Sequence, residues 1–420
     1  MIVTIAIDSW KGCLDSLDAA HAIETGLRRV CPDLEARLSP LADGGEGTTC
    51  ALCTPEERIP CTVTGPLGEP VRAEYGIRRA TGTAVLEMAS AAGLPLVPPD
   101  RRNPLYTTTR GVGELLCDAL DRGCRNFLIG IGGSATNDGG AGMLAALGFR
   151  LLDAAGSPIP DGAAGLEQLC SIDASAARPE LRDCRFSIAC DVENPLCGPT
   201  GASAVYGPQK GASPEMIPRL DAALRRFADT AARVFPGCDP DVPGSGAAGG
   251  LGFGFAAFLG AQLRPGAAIV LEETGLAGLL SGSDLCFTGE GRFDFQTSMG
   301  KAPAAVARLA REQGVPVLAL AGSVQPDAPL GEIDAVFPVL RAPMGLADAM
   351  DPETARQNIA AADIMNGWCQ SQLSQQPLQN VDVHTCLPFS LRRPKGPHNL
   401  IPTQKGPAPR ARPGSIYRPP

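Results

Sequence analysis

Six segments of this sequence contain acidic or amide side chains, closely spaced glycines, or both. They are DSWKG at residues 8–12, ADGGEG at 42–47, GIGGSATNDGG at 130–140, DVEN at 191–194, GSGAAGGLG at 244–252 and TGEG at 288–291. Glycine lets backbone amides approach a ligand closely, and successive amides form a cradle for an anion. Carboxylates beside such a cradle suit Mg²⁺, which prefers oxygen ligands and bridges to phosphate oxygens. Together these residue types predict phosphoryl transfer, in which a protein mainly positions groups and neutralises charge.

The elements around these segments predict how they are held together. VTIAID is a short β-branched run that ends at Asp8, and SLDAAHAIETGLRRV after it has helical periodicity. The same alternation recurs in TTRGVGELLCDALDRG with NFLIGIGG, and in SDLCFTGEG with APAAVARLAREQG and VPVLALAG. Short strands that alternate with helices predict parallel βαβ units of an α/β fold. Ligands of such folds gather at the carboxyl ends of the strands, where these segments lie.

Residues 61–100 have a different pattern, because polar and apolar residues alternate there across Gly-Pro turns. This pattern is typical of hairpin strands. It predicts a second lobe with a mixed sheet, to which we also assign residues 141–281.

The GIGGSA string at residues 130–135 supports a rival function. It fits G-x-G-x-x-A after a strand, and Asp153 follows at about the distance that a dinucleotide site requires. An NAD-dependent oxidoreductase is therefore an alternative, although it leaves the other five segments without a role. The chain has neither a GxxxxGK[ST] string nor the HRD and DFG signatures of protein kinases.

Scarce histidine narrows the chemistry further. Histidine occurs at His21, His384 and His398 alone, and His21 lies on the surface of a predicted helix. This excludes a serine triad and a histidine-ligated metal. Cys50 and Cys53 form a CxxC without a second pair, and we interpret the cysteines as small reduced core residues.

The charge and composition exclude other classes. A formal net charge of -9 and a pI near 5.0 disfavour binding to nucleic acid. The first residues lack the features of a secretion signal, and no apolar stretch is long enough for a membrane span. We therefore expect a cytoplasmic protein with small-molecule partners. Residues 366–420 are rich in proline and basic residues, and we expect this tail to be disordered.

Seven long strings, in this order along the chain, resemble the type I glycerate kinase family. They are DSWKGCLDS, ADGGEGT, GIGGSATNDGGAGML, CDVENPLCGPTGASAVYGPQKGA, PGSGAAGGLGFG, TGEGRFDFQTSMGKAP and RAPMGLADAMDPETARQNIA. The resemblance covers residues 1 to about 362. It implies phosphorylation of D-glycerate by ATP and Mg²⁺, at the 2-hydroxyl, to give 2-phosphoglycerate. A non-catalytic ligand-binding relative is a further alternative.

The resemblance also implies an α/β fold of two lobes in a catalytic unit of residues 1–365. One lobe is flavodoxin-like, with a parallel sheet, and we assign to it residues 1–60, 105–140 and 282–362. The other is a mixed-sheet lobe inserted into the first, with residues 61–104 and 141–281. The active site is expected in the cleft between them.

Candidate roles follow from the chemistry of the matched residues. Lys11 is expected to neutralise a phosphate or the glycerate carboxylate. Asp43 and Asp191 are candidates for Mg²⁺ ligation or for accepting the hydroxyl proton, and we favour Asp191 as base and Asp43 as metal ligand. Asp138 is expected to orient its loop or to join the metal shell. The other candidates for substrate or nucleotide binding are Gly44, Gly45, Gly132, Gly133, Ser134, Asn137, Asn194, Glu290, Asp294, Gln296 and Lys301.

Overall fold

The structure is a computed structural model of the chain, and it describes residues 1–295, 297, 301–340 and 342–361. Gln296 and the tail predicted for residues 366–420 lie outside the described residues. Within them, the strands are β1 (Ile2–Ile7), β2 (Glu35–Pro40), β3 (Arg58–Thr64), β4 (Pro70–Arg78), β5 (Thr83–Glu87), β6 (Asn126–Gly130), β7 (Arg150–Leu152), β8 (Ser171–Asp173), β9 (Arg185–Ala189), β10 (Gln262–Arg264), β11 (Leu285–Phe293), β12 (Val317–Val324) and β13 (Ala335–Pro338).

The α-helices of the same residues alternate with these strands along much of the chain. They are α1 (Ser16–Val30), α2 (Thr48–Leu52), α3 (Ala89–Ala92), α4 (Arg110–Asp121), α5 (Ala141–Ala146), α6 (Ala163–Leu166), α7 (Ala202–Tyr206), α8 (Met216–Ala232), α9 (Ala247–Leu259), α10 (Gly266–Glu273), α11 (Leu276–Leu280), α12 (Ala302–Glu312), α13 (Leu346–Ala349) and α14 (Pro352–Ala360). None of them combines the length and apolarity needed to cross a bilayer.

Five parallel strands form the first sheet, in the order β2-β1-β11-β12-β13. This is the flavodoxin-like order 2-1-3-4-5, so the predicted parallel-sheet lobe is confirmed. From β1 the chain continues to β2 on one side of β1, and β11, β12 and β13 later add to the sheet on its other side. The topological switch point therefore lies between β1 and β11.

The second sheet has six strands in the order β10-β9-β6-β5-β4-β3. The neighbours β3, β4 and β5 are antiparallel, whereas β5, β6, β9 and β10 are parallel. The hairpin pattern of residues 61–100 thus predicted a mixed sheet correctly.

The assignment of residues 105–140 to the parallel-sheet lobe was wrong. Their strand β6 pairs with β5 on one side and β9 on the other, inside the mixed sheet. A βα pattern shows that a strand is parallel and buried, but the same pattern suits the parallel half of a mixed sheet. Which sheet a strand joins depends on its distant neighbours.

Layers of helices cover both faces of each sheet. Val3, Ile5 and Ile7 of β1 pack with α1 and α14 on the outer face of the parallel sheet. The opposite face of that sheet shares a core with α10, α11 and α12, and this core also includes Val85 and Leu128 of the mixed sheet. The outer face of the mixed sheet packs against α4, α5, α8 and α9. The two sheets are thus joined through a common layer of helices.

Candidate active site

The loops at the carboxyl ends of the two sheets touch one another. A Cβ atom built on Gly44 would lie 2.4 Å from the Cβ of Ala189, and one built on Gly130 would lie 2.2 Å from the Gly44 carbonyl oxygen. Neither position has space for a side chain. Glu87, the last residue of β5, holds the same loop by accepting from the amides of Gly47 (3.2 Å) and Thr49 (2.7 Å). Glycine therefore lets the loop after β2 rest directly on the ends of β6 and β9.

A cavity of about 540 Å³ opens at the switch point of the parallel sheet. Residues that follow β1 and β2 line it, together with residues from the end of β11 and from the segment that runs from β12 to α14. Its charged lining includes five predicted site residues and one that was not predicted: Lys11, Asp43, Glu290, Asp294 and Lys301, with Asp8.

Lys11 and Asp43 form an ion pair within this cavity. The Lys11 Nζ lies 2.6 Å from Oδ2 of Asp43, and the other oxygen of Asp43 accepts from the Gly45 amide at 3.0 Å. Burial lowers the pKa of Lys11, but the Asp43 charge and hydrogen bond outweigh it and the net pKa is raised. More than half of the Lys11 side chain stays accessible, at 54%. The ammonium group is therefore charged and available to a ligand.

Asp8, at the end of β1, is the site residue that sequence reasoning missed. Its carboxylate is buried and accepts from the Ser9 amide at 2.6 Å. Burial, and then repulsion by Asp43, raise the pKa of Asp8 to about 7. The sequence signal for Asp8 was its position at a strand end, before a loop that contains glycine. The prediction of Asp43 depends on the same kind of position.

Asp191 lies beside this pair on the mixed-sheet side. Its carboxylate accepts from the amide of Gly266, the first residue of α10, at 2.8 Å. Desolvation by the surrounding protein raises the pKa of Asp191, and so does the charge of Asp43. The hydrogen bond from Gly266 and the charge of Lys11 oppose this shift. A Cβ on Gly266 would lie 2.1 Å from the Asp43 carbonyl oxygen, so Gly266 links the two aspartates.

The group predicted at the end of β11 is assembled around Glu290. This carboxylate is buried, accepts from the Thr297 hydroxyl and lies 3.7 Å from the Lys301 Nζ. Burial raises its pKa, and the Thr297 hydrogen bond and Lys301 oppose this. Asp294 lies 3.5 Å from the Arg292 guanidinium.

The loop of residues 130–140 begins with glycines next to the Asp43 loop and continues with polar side chains that are buried in the protein. A Cβ on Gly132 would lie 3.4 Å from the Cα of Gly45, so the start of this loop adjoins the Asp43 loop. Gly133 has a positive φ of 75° and makes the turn that leads to Ser134. The side chains of Asn137 and Asp138 are instead fully buried in the protein.

Asp138 organises the loop from within. It accepts hydrogen bonds from the amide and hydroxyl of Thr109 and from the amides of Gly140 and Gly142, at 2.8–3.3 Å. Burial raises its pKa, and these hydrogen bonds oppose the shift. Asn137 donates to the Ser203 hydroxyl at 3.0 Å. The structure therefore does not bring these two predicted side chains to the cavity.

Lys210 is a second residue near the site that the sequence did not predict. It is 2% exposed, and its Nζ donates to the Ser134 hydroxyl and to the Thr136 carbonyl, both at 2.7 Å. Burial lowers its pKa to about 7. Because Ser134 accepts from Lys210, the hydroxyl proton of Ser134 remains to be donated to an anion. The sequence signal for Lys210 was that lysine is rare. Residues 1–361 contain three lysines, and the other two are Lys11 and Lys301.

Asn194 lies on the loop after β9, with its side chain held at both ends. Its amide donates to the Thr200 carbonyl at 2.8 Å, and its oxygen accepts from the Tyr206 hydroxyl at 2.6 Å. This loop and Asp191 extend the site on the mixed-sheet side.

The geometry is incompatible with the dinucleotide alternative. Strand β7, which follows the GIGGSA loop and α5, pairs antiparallel with β8 and is not a neighbour of β6. Asp153 accepts from the amides of Ala155 and Ser157 within a tight turn. A dinucleotide fold needs the next strand beside the first and its acidic residue at the end of that strand.

The fold and the cavity together define an α/β protein with a cavity at the carboxyl ends of parallel strands. Comparison with known proteins gives the family: the Glycerate kinase family matches residues 3–368. Glycerate kinase of Bacillus subtilis is 49% identical over 87% of this chain and 97% of its own length. Glycerate 2-kinase of Escherichia coli K12 is 48% identical over 81% of this chain and 91% of its own. The crystal structure of a Salmonella typhimurium LT2 protein assigned as glycerate kinase 2 matches with a TM-score of 0.82 and 48% identity, covering 90% of this chain and 100% of that one. The chain therefore belongs to the glycerate kinase family.

Proposed function

We propose that this chain transfers the γ-phosphoryl group of ATP to the 2-hydroxyl of D-glycerate, forming 2-phosphoglycerate and ADP. One observation carries the proposal: an accessible lysine paired with a carboxylate lies at the switch point of a parallel sheet, beside glycine loops from a second sheet. A relative named glycerate 2-kinase, at 48% identity, supports the choice of the 2-hydroxyl.

Lys11 is the group that neutralises the transferred phosphate in this proposal. Its ammonium is charged and is oriented by the ion pair with Asp43, and more than half of the side chain is accessible. Phosphoryl transfer spreads negative charge over the phosphate oxygens, so a fixed positive charge beside them lowers the barrier.

Asp191 is the proposed base. Its raised pKa favours proton acceptance, and the Gly266 amide fixes one of its oxygens. In the proposed step, Asp191 takes the hydroxyl proton while the hydroxyl oxygen bonds to the γ-phosphorus, and the bond from that phosphorus to ADP breaks.

The donor set suits Mg²⁺. No three His, Cys, Asp or Glu side chains of the described residues form a ready-made metal cluster. Mg²⁺ commonly needs one or two carboxylates together with the phosphates of its nucleotide, and Asp43, with Asp8 or Asp191 nearby, supplies that number. When bound, the ion would neutralise phosphate charge. Asp43 is the residue that we propose to hold it.

The loops of the mixed sheet are proposed to bind glycerate. Ser134 has a hydroxyl proton to donate, and Gly132 brings its backbone next to Gly45. Asn194 is fixed near Asp191 on the adjoining loop. We propose that these groups recognise the carboxylate and hydroxyls of the acid.

We also propose a cytoplasmic location. The thirteen described cysteines are all free, as a reducing compartment requires.

The proposal is tested by a coupled assay of ADP release with D-glycerate, with ³¹P NMR to identify the product. L-Glycerate serves as the matched control, and we expect turnover of the D form with a 2-phosphate signal. A 3-phosphate signal would contradict the assigned hydroxyl. A folded sample that binds ATP and Mg²⁺ without turnover would instead identify a non-catalytic ligand-binding relative.

A further inference from the structure

Two chemically distinct sets of side chains line the cavity at the switch point. One set consists of the charged groups around Lys11 and Asp43. The other is a wall of apolar side chains that the loop after β13 and helices α13 and α14 supply; we call it the apolar wall, and it consists of Val339, Leu340, Leu346, Ala349, Met350 and Ala355.

Several side chains of the apolar wall are exposed to solvent. Leu346 is 79% exposed, and Leu340 and Met350 are each 37% exposed. Val339 and Ala355 of the same wall are buried. Exposed apolar side chains that cluster along a cavity indicate a surface that a ligand covers.

We propose that the apolar wall binds the purine base of the nucleotide, with the phosphates directed toward Lys11. This inference rests on the proposed function, because it assigns a place to the phosphoryl donor of that reaction. The Met350 methyl carbon would lie 3.5 Å from a Cβ built on Gly12, so the wall reaches the loop that carries Lys11.

The chemistry of the two substrates decides which of them fits the wall. Glycerate has a carboxylate and two hydroxyls on three carbons and offers no apolar face, whereas a purine offers two. A cavity of about 540 Å³ is in the range that small ligands occupy. In a sheet of this strand order, nucleotides bind at the switch point, where this cavity opens. Asn358 also lines the cavity and offers an amide to the edge of a base.

The assignment orients the whole reaction. Asp191 and Ser134 do not line this cavity, and they lie on the loops of the mixed sheet. Loops of the parallel sheet therefore bind the phosphoryl donor, and loops of the mixed sheet bind the acceptor. The phosphoryl group crosses between them at Lys11 and Asp43.

The test uses the full chain and the variant Leu346→Ser, with calorimetric binding of Mg·ADP and of Mg·tripolyphosphate. Tripolyphosphate shares the phosphates and lacks the base, and serine adds no charge. We expect Mg·ADP affinity to fall about fivefold to tenfold, because an apolar contact is lost. Tripolyphosphate affinity and the melting temperature without ligand should not change. Met350→Ser should act in the same direction, and Val234→Ala, an exposed apolar residue away from the cavity, should have no effect.

Three results would overturn the base subsite: unchanged affinity for both ligands, equal weakening of both, or a shifted melting temperature with unchanged ADP affinity. The last would mean that the wall covers another part of the chain. If the variant discriminates between the ligands but the wild type does not phosphorylate glycerate, the subsite stands and the proposed function fails. If glycerate is phosphorylated while Leu346→Ser binds ADP normally, the function stands and the subsite fails.

Discussion

Two loops of this protein share a pattern of aspartate and glycine but use it differently. In the loop of residues 42–47, Asp43 bonds one backbone amide and the accessible Lys11, and it lines the cavity. In the loop of residues 130–140, Asp138 is fully buried and accepts four hydrogen bonds from the protein. A carboxylate whose acceptor sites are all occupied by hydrogen bonds within the protein stabilises the fold. One that keeps free acceptor sites is available to a ligand.

The lysines repeat this contrast. The Lys11 side chain is 54% exposed and has a carboxylate partner, whereas Lys210 is buried and donates to neutral oxygens. Burial without a paired carboxylate lowers the pKa of Lys210, and pairing raises that of Lys11. One lysine therefore offers charge, and the other positions Ser134.

The largest effect is expected from Lys11→Met. It should reduce kcat/KM for D-glycerate about 10³-fold, or about 4 kcal/mol of transition-state stabilisation, because a preorganised charge beside the phosphate is removed. Steady-state kinetics measure this, with urea unfolding to verify the fold. Arg101→Met removes an exposed ion pair away from the site and serves as control. A loss below tenfold would mean that Lys11 does not contact the reacting phosphate.

Asp138→Ala should lower the free energy of unfolding by about 3 kcal/mol, because four buried donors lose their acceptor. Asp43→Ala should change it by less than about 1 kcal/mol, since its ion pair is partly exposed, yet it should reduce turnover of D-glycerate, though by no more than Lys11→Met does. Urea unfolding of both variants tests the contrast directly. Equal destabilisation by the two substitutions would remove the distinction between the loops.

The pH dependence of stability tests the state of Lys210. Its folded pKa of about 7 lies below its ordinary value of 10.5. Between these values the unfolded chain binds the additional proton, so unfolding free energy gains a positive slope with pH from this residue. Compared with Lys210→Met, the wild type should therefore become relatively more stable from pH 7 to pH 10. Parallel curves in urea titrations would show that Lys210 remains charged in the folded protein.

The smallest effect is expected from Tyr206→Phe. It removes the hydrogen bond to Asn194 at 2.6 Å while keeping the ring. We expect KM for D-glycerate to rise about threefold to tenfold, as one neutral hydrogen bond would give, with KM for ATP unchanged. A change in KM for ATP instead would place Asn194 on the donor side.

The sequence predicted several residues that the structure places in or beside the cavity. Strand ends followed by glycine loops can be identified from a few consecutive residues, and this pattern predicted Lys11, Asp43, Asp191 and Glu290. It did not give Asp8, although Asp8 ends its strand in the same manner. Nor did it show that Lys210 turns inward, because the segment around it has no pattern that distinguishes a buried lysine from an exposed one.

The sequence by itself determined the α/β class, the family and most of the charged residues that line the cavity, because strand and helix periodicity and glycine loops are local properties of the chain. Tertiary structure decided which sheet β6 joins, which carboxylates keep free acceptor sites and where the apolar wall lies. These depend on segments that are distant in the chain, such as residues 8–12 and 346–358. Their contacts form only when β1, β11 and β12 come together in one sheet.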